Sequence, residues 1–180
     1  MKTIIACFSR RGENYVSGTI TELIKGNGEI IVDIIRQYCD SDIFKIEPVE
    51  EYPYDYHQCT ARAKFELQKQ IYPKITNYIH RFEDYDRVIL VYPNWWSTLP
   101  MVMFTFLTMH DMKGKQIYPI CSHEGSGLGR SVEDIRRLCP DSVVHEGLAV
   151  QGSKVNNSQN IIRKYIKEEV MKDEDCGSLC

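Results

Sequence analysis

Five short runs of apolar and β-branched residues recur along this chain, each followed by a segment whose apolar positions fall at helical spacing. The runs span residues 3–8, 42–46, 87–92, 116–121 and 142–150, and the helical segments span 29–36, 61–70, 101–108, 131 to about 139, and 158–169. Val88-Ile89-Leu90-Val91 is apolar without interruption, as expected of a strand buried on both faces. Pro100 opens the helical segment behind it, a favoured first-turn residue. Strict alternation of this kind predicts an α/β fold with a parallel sheet covered on both faces. Right-handed crossovers make that a doubly wound three-layer sandwich. Five strands favour the order 2-1-3-4-5 over the larger six-strand dinucleotide order.

A chain of 180 residues accommodates one such domain, placed at 1–170, with 171–180 as a tail. The net charge of −3 comes with no basic stripe, which argues against nucleic acid as a partner. No apolar run approaches the ~20 residues of a membrane span. The first residues lack a signal-peptide core, so a cytoplasmic protein is expected. Seven cysteines show no CxxC and no Cys/His zinc spacing, so neither a metal site nor a disulfide framework is expected. Cys7 and Cys121 fall in strands as small buried residues, whereas Cys176 and Cys180 read as exposed tail thiols.

In the 2-1-3-4-5 order the first, third and fourth strands are neighbours, so the loops at their carboxyl ends meet at one crevice, where open α/β sheets bind ligands. The first loop is Ser9-Arg10-Arg11-Gly12-Glu13-Asn14-Tyr15, continuing to Gly26-Asn27-Gly28, after which a helix begins. A helix start offers unpaired N–H groups to an anion, and Ser9, Asn27, Arg10 or Arg11 add hydrogen bonds or charge. A solvated surface loop is the alternative. The second loop, Pro93-Asn94-Trp95-Trp96-Ser97, holds both tryptophans of the chain, a broad apolar face for a flat ligand or else core packing. The third, Ser122-His123-Glu124-Gly125-Ser126-Gly127-Leu128-Gly129-Arg130, packs three glycines into five residues, as backbone wrapped around a ligand edge would require. His123 and Glu124 read as positioning residues rather than catalytic ones. There is no P-loop and no GxGxxG. A phosphate site, an aromatic platform and a polar glycine-rich loop together describe a pocket for a phosphorylated flat heterocycle, with FMN the leading candidate.

These segments resemble the flavodoxin-like family, in particular short bacterial flavodoxins and related FMN-dependent oxidoreductases. The resemblance runs from Met1 to about Ile166. Ser9-Arg10 resembles the opening of the family's phosphate loop and Gly26-Asn27-Gly28 its close, with Gly28 where Thr is expected and residues 11–25 as an insertion. Residues 92–101 and 122–131 resemble the two flavin-ring loops. The resemblance implies FMN bound by the three loops, and flavin-mediated electron transfer from NAD(P)H or a reductase to a small acceptor such as a quinone, with no catalytic side chain. A non-enzymatic carrier between redox proteins is the alternative; carriers of this family are strongly acidic, and this chain is only mildly so. A fold that has lost its flavin is a third reading. Monomer and homodimer both stay open. Tyr52-Pro53-Tyr54-Asp55-Tyr56-His57 is read as a surface loop packed by its own rings, with a lid over the pocket as the alternative.

Overall fold

The structure, a computed structural model, describes residues 1–172. Strands β1 (Thr3–Cys7), β4 (Asp42–Lys45), β5 (Arg87–Pro93) and β6 (Gln116–His123) form a parallel sheet in the order β4-β1-β5-β6, with β7 (Val143–Val144) and β8 (Leu148–Gln151) both pairing with β6. This is the expected doubly wound arrangement, except that the last strand position is divided. β7 lies beside Gln116 and Ile117, β8 beside residues 120–123. Between them Gly147 passes so close to the preceding helix and the loop that leads into it that a Cβ there would stand 2.8 Å from Leu128 Cδ2 and 3.1 Å from Val132 Cγ2.

Alternation along the central strands builds two cores. Ile4, Ala6, Val88, Leu90, Tyr92, Ile117 and Cys121 face one side, with α3 (Met101–Met109) and α4 (Ser131–Leu138) packed there beside α2 (Tyr56–Lys69). Ile5, Cys7, Ile89, Val91, Tyr118 and Ile120 face the other, under α1 (Asn27–Ile35) and α5 (Gln159–Tyr165). Residues 101–104 are all buried, so the Met- and Phe-rich helix is core and not a docking face. Cys7 and Cys121 are buried as expected, and burial pushes the Cys7 thiol up to about 12. The tail cysteines Cys176 and Cys180 lie outside the described residues. No described helix is long and apolar enough to cross a membrane.

Residues 12–23 make up most of the segment 11–25 that reads as an insertion in the sequence. They fold as an antiparallel hairpin, β2 (Gly12–Val16) against β3 (Thr19–Leu23). The pair is joined by Ser17 (φ 47°) and Gly18 (φ 95°), the two left-handed residues that a tight hairpin turn requires. Helix α1 starts at Asn27, two residues ahead of the expected start after Gly28.

His110 closes the end of α3 inside an aromatic box of Tyr78, Phe82 and Phe106, with ring centroids 4.7–4.9 Å away. Its Nε2 accepts from the Ile79 N–H at 3.4 Å, so the ring is neutral and Nδ1–H donates to the Phe106 carbonyl at 3.0 Å. Burial pushes the His110 pKa down. The unfolded chain therefore takes up this proton first as pH falls. Stability is complete above the unfolded value of about 6.5 and declines as pH drops towards the folded value. Thermal melts from about pH 7 down to pH 5 are expected to show this decline, and His110→Leu is expected to flatten it.

Candidate functional site

At the carboxyl edge of the sheet the ends of β1, β5 and β6 and the start of α2 surround a cavity of about 490 Å³, within the range of small-molecule sites. Its walls come from four places. Arg10 and the hairpin residues Asn14 and Tyr15 form one side, with Asn27 at the start of α1. Pro93, Asn94, Trp95 and Trp96 form the second. Ser122, His123, Glu124 and Ser126 form the third. Tyr56, Cys59, Thr60 and Ala63 of α2 form the fourth.

The loop after β5 is a tight turn in which Trp95 and Thr98 exchange backbone hydrogen bonds at 2.9 and 3.2 Å. Its two central residues, Trp96 (φ 55°) and Ser97 (φ 66°), both adopt the left-handed region without being glycine. Each carries a conformational cost of ~1–3 kcal/mol, a kind of strain that gathers at functional sites. Surrounding bonds hold the turn there. Asn94 Nδ2 donates to the Gly127 carbonyl at 2.8 Å, the Asn94 N–H to the Ser122 carbonyl at 2.7 Å, and the Arg130 N–H to the Ser97 carbonyl at 2.8 Å. Thr98 Oγ1 donates to Asp134 at 2.5 Å. Gly129 (φ 55°) packs so tightly on this turn that a Cβ would meet the Ser97 carbonyl oxygen at 2.3 Å.

The two indoles differ. Trp95 is half-buried, with the edges of Phe8 and Tyr52 at centroid distances of 5.4 and 4.9 Å. Trp96 is 45% exposed; its indole N–H donates to the Thr60 carbonyl at 3.1 Å and Lys64 lies over its ring. In the third loop the Gly125 N–H donates to His123 Nδ1 at 2.9 Å, which leaves the neutral ring's hydrogen on Nε2. Glu124 accepts from the backbone N–H groups of Ser17 and Ser153, tying the hairpin turn to the segment after β8.

Of the residues singled out in the sequence, Ser9, Arg11, Gly26, Gly28, Ser97, Gly125 and Gly127 do not line the cavity. Arg11 reaches away to Glu29 at 2.5 Å, and its guanidinium holds the Glu29 carboxyl below the usual range. Ser9 Oγ accepts the Glu29 N–H at 3.3 Å. Gly26 and Gly28 are glycines because they press on Ser9: Cβ atoms there would stand 2.2 and 3.0 Å from its Oγ. The α2 wall was not anticipated. The aromatic segment 52–57 leads into it, and Tyr56 stacks near Tyr15 at 6.3 Å across the cavity mouth. Because β4 pairs directly with β1, the connection after β4 comes alongside the pocket and is not a remote surface loop. Cys59 faces this wall, its thiol pushed up to about 11 by burial.

No curated protein sequence matches the chain. Among solved structures, a protein of Bacteroides uniformis assigned as a flavoprotein superimposes with a TM-score of 0.72 at 20% identity, covering 92% of this chain and 97% of that one. A similar protein of Bacteroides eggerthii gives 0.68 at 23% identity, covering 89% and 97%. A flavoprotein of Lactobacillus acidophilus in complex with FMN gives 0.64 at 17% identity, covering 87% and 97%. At these identities the likeness is one of fold. The family model for flavodoxin matches residues 22–168, most of the length of the chain, and the chain belongs to the flavodoxin family.

Proposed function

We propose that the chain binds FMN in this cavity and uses it to pass electrons from NAD(P)H or a reductase to a small acceptor such as a quinone. The observation that carries the reading is the convergence of the β1, β5 and β6 loops on one aromatic-walled cavity at the switch point of the sheet. The flavin ring and its polyol chain suit the lining. Trp95, braced by Phe8 and Tyr52, offers a rigid apolar wall, and Asn94, Ser122 and Ser126 offer polar groups for the heteroatom edge. When bound, the flavin supplies the redox chemistry. The protein holds and orients it: the bonds from Asn94 to Gly127 and Ser122 lock the two ring loops together, and His123 Nε2–H is a neutral donor for a carbonyl oxygen. A cytoplasmic setting agrees with the five free thiols among the described residues.

The exposure of Trp96 at the mouth favours a second reading, a carrier whose ring edge meets a partner protein directly. Purified protein is expected to be yellow, or to turn so with added FMN, and to bleach when NADPH is added anaerobically. Stable colour with NADPH, and after reduction reoxidation by a redox protein but not by a quinone, assigns the carrier role. A colourless protein that ignores FMN contradicts both.

A further inference from the structure

We infer that the hairpin of β2 and β3 is a flap across the cavity mouth, fastened at its tip by the Glu124 carboxylate, and that flavin enters and leaves when this clasp opens. The inference rests on the flavin reading above and concerns how that ligand is exchanged.

The hairpin bridges the mouth from side to side. Tyr15 stacks near Tyr56 of α2, the helix that follows β4, at 6.3 Å. The Ser17 N–H donates at 3.4 Å to Glu124 Oε2, in the loop that follows β6. In the sheet β1 and β5 lie between β4 and β6. Neighbouring strands stand ~4.8 Å apart, so these two contacts belong to elements about 14 Å apart along the sheet edge. Asn14, Tyr15, Tyr56 and Glu124 all line the cavity that the hairpin crosses.

The base of the flap is riveted and its tip is not. At the base Arg10 donates to the carbonyls of Glu13, Pro53 and Tyr54, and Glu13 Oε2 accepts the Tyr56 N–H at 2.9 Å. Gly12 lies so close to Tyr54 that a Cβ would stand 2.9 Å from its ring. Among the described residues, the Ser17 contact is the one hydrogen bond that joins residues 16–19 to the chain outside the hairpin. Strand β3 is exposed from Thr19 to Glu22, so little burial holds the tip down. The cross-strand pairs and the left-handed Ser17-Gly18 turn keep the hairpin's own shape whether or not the tip is fastened. Glu124 is a fixed post for the clasp: Oε1 accepts the Ser153 N–H after β8, which leaves Oε2 to the hairpin. The Ser17 bond has a charged acceptor but is long, so it holds the flap shut and still opens readily. Glu124 is therefore a positioning residue for the flap.

A clasp made with or without ligand slows entry and exit alike, whereas a group that grips flavin slows exit and tightens Kd. The test measures FMN association by stopped-flow fluorescence, and release on dilution, for wild type, Glu124→Ala and Glu124→Gln. Glutamine removes the same charge but keeps an acceptor oxygen, so alanine against glutamine isolates the clasp. Both rates are expected to be about threefold higher in the alanine variant than in the glutamine variant, with Kd within about twofold, which also shows that the variant folds. In the flavin-free protein the Ser17 amide is expected to exchange its hydrogen faster in the alanine variant, with the Tyr56 amide at the base unchanged. Faster release with an equal loss of affinity, equal rates in the two variants, or unchanged Ser17 exchange overturns the inference. If FMN does not bind the wild-type chain, the flavin reading itself falls, and this inference with it.

Discussion

Gly129→Ala is expected to destabilise the protein by about 3 kcal/mol and to weaken flavin binding in the fraction that folds. Gly129 sits at φ 55°, a conformation alanine adopts at a cost, and the added Cβ would lie 2.3 Å from the Ser97 oxygen and 2.8 Å from the Ser97 carbonyl carbon. These are backbone atoms, so no side-chain rotation relieves the contact. The only escape is to separate the Trp95–Thr98 turn from the loop after β6, which breaks the Arg130 N–H bond to Ser97. Urea denaturation measures the stability loss. A change under about 1 kcal/mol contradicts the claim that the two loops are held in direct contact.

Arg62→Met is expected to cost about 3 kcal/mol, for a different reason. Glu66 has a side chain only 5% exposed, and its carboxylate is held by Arg62 Nε at 2.7 Å and by the Tyr52 hydroxyl at 2.6 Å. The same guanidinium donates to the carbonyls of Glu50 and Glu51 and covers the Tyr52 ring at 4.5 Å. Methionine keeps much of the apolar stem but leaves a buried carboxylate without its counter-ion. Glu66→Gln in the Arg62→Met background removes that charge and is expected to restore part of the loss, whereas independent contributions would simply add. Because Tyr52 braces Trp95, the single variant is also expected to weaken flavin binding. An Arg62→Met protein as stable as wild type contradicts this account of the α2 wall.

Much of the sheet was legible because each core strand carries its own burial pattern. The run 88–91 has to be buried on both faces, and Ile4 and Ala6 against Ile5 and Cys7 divide cleanly between the two cores. The loops after β5 and β6 were legible as cavity walls for a related reason: paired tryptophans and clustered glycines are unusual just beyond a strand. What escaped had weaker local signals. Strand β3 is largely exposed and β2 mostly half-buried, so they lack an apolar run, and only the Ser17-Gly18 turn marks them. Helix α2 begins at Tyr56, ahead of the expected 61, because Asp55 caps it through the Gln58 N–H. Its cavity residues Cys59, Thr60 and Ala63 carry no pattern that separates a pocket wall from an ordinary buried helix face. Gly26 and Gly28 looked like phosphate contacts, but their need for glycine comes from Ser9 packed against them.

The most direct measurement is an amide and indole NMR titration of isotopically labelled protein with FMN. The account predicts saturable one-to-one shifts at Asn94, Ser122 and Ser126 and at both tryptophan indoles, which line the cavity, with residues 40–42 at the opposite edge of the sheet unmoved. Shifts centred on that opposite edge, or none up to saturating flavin, would contradict it.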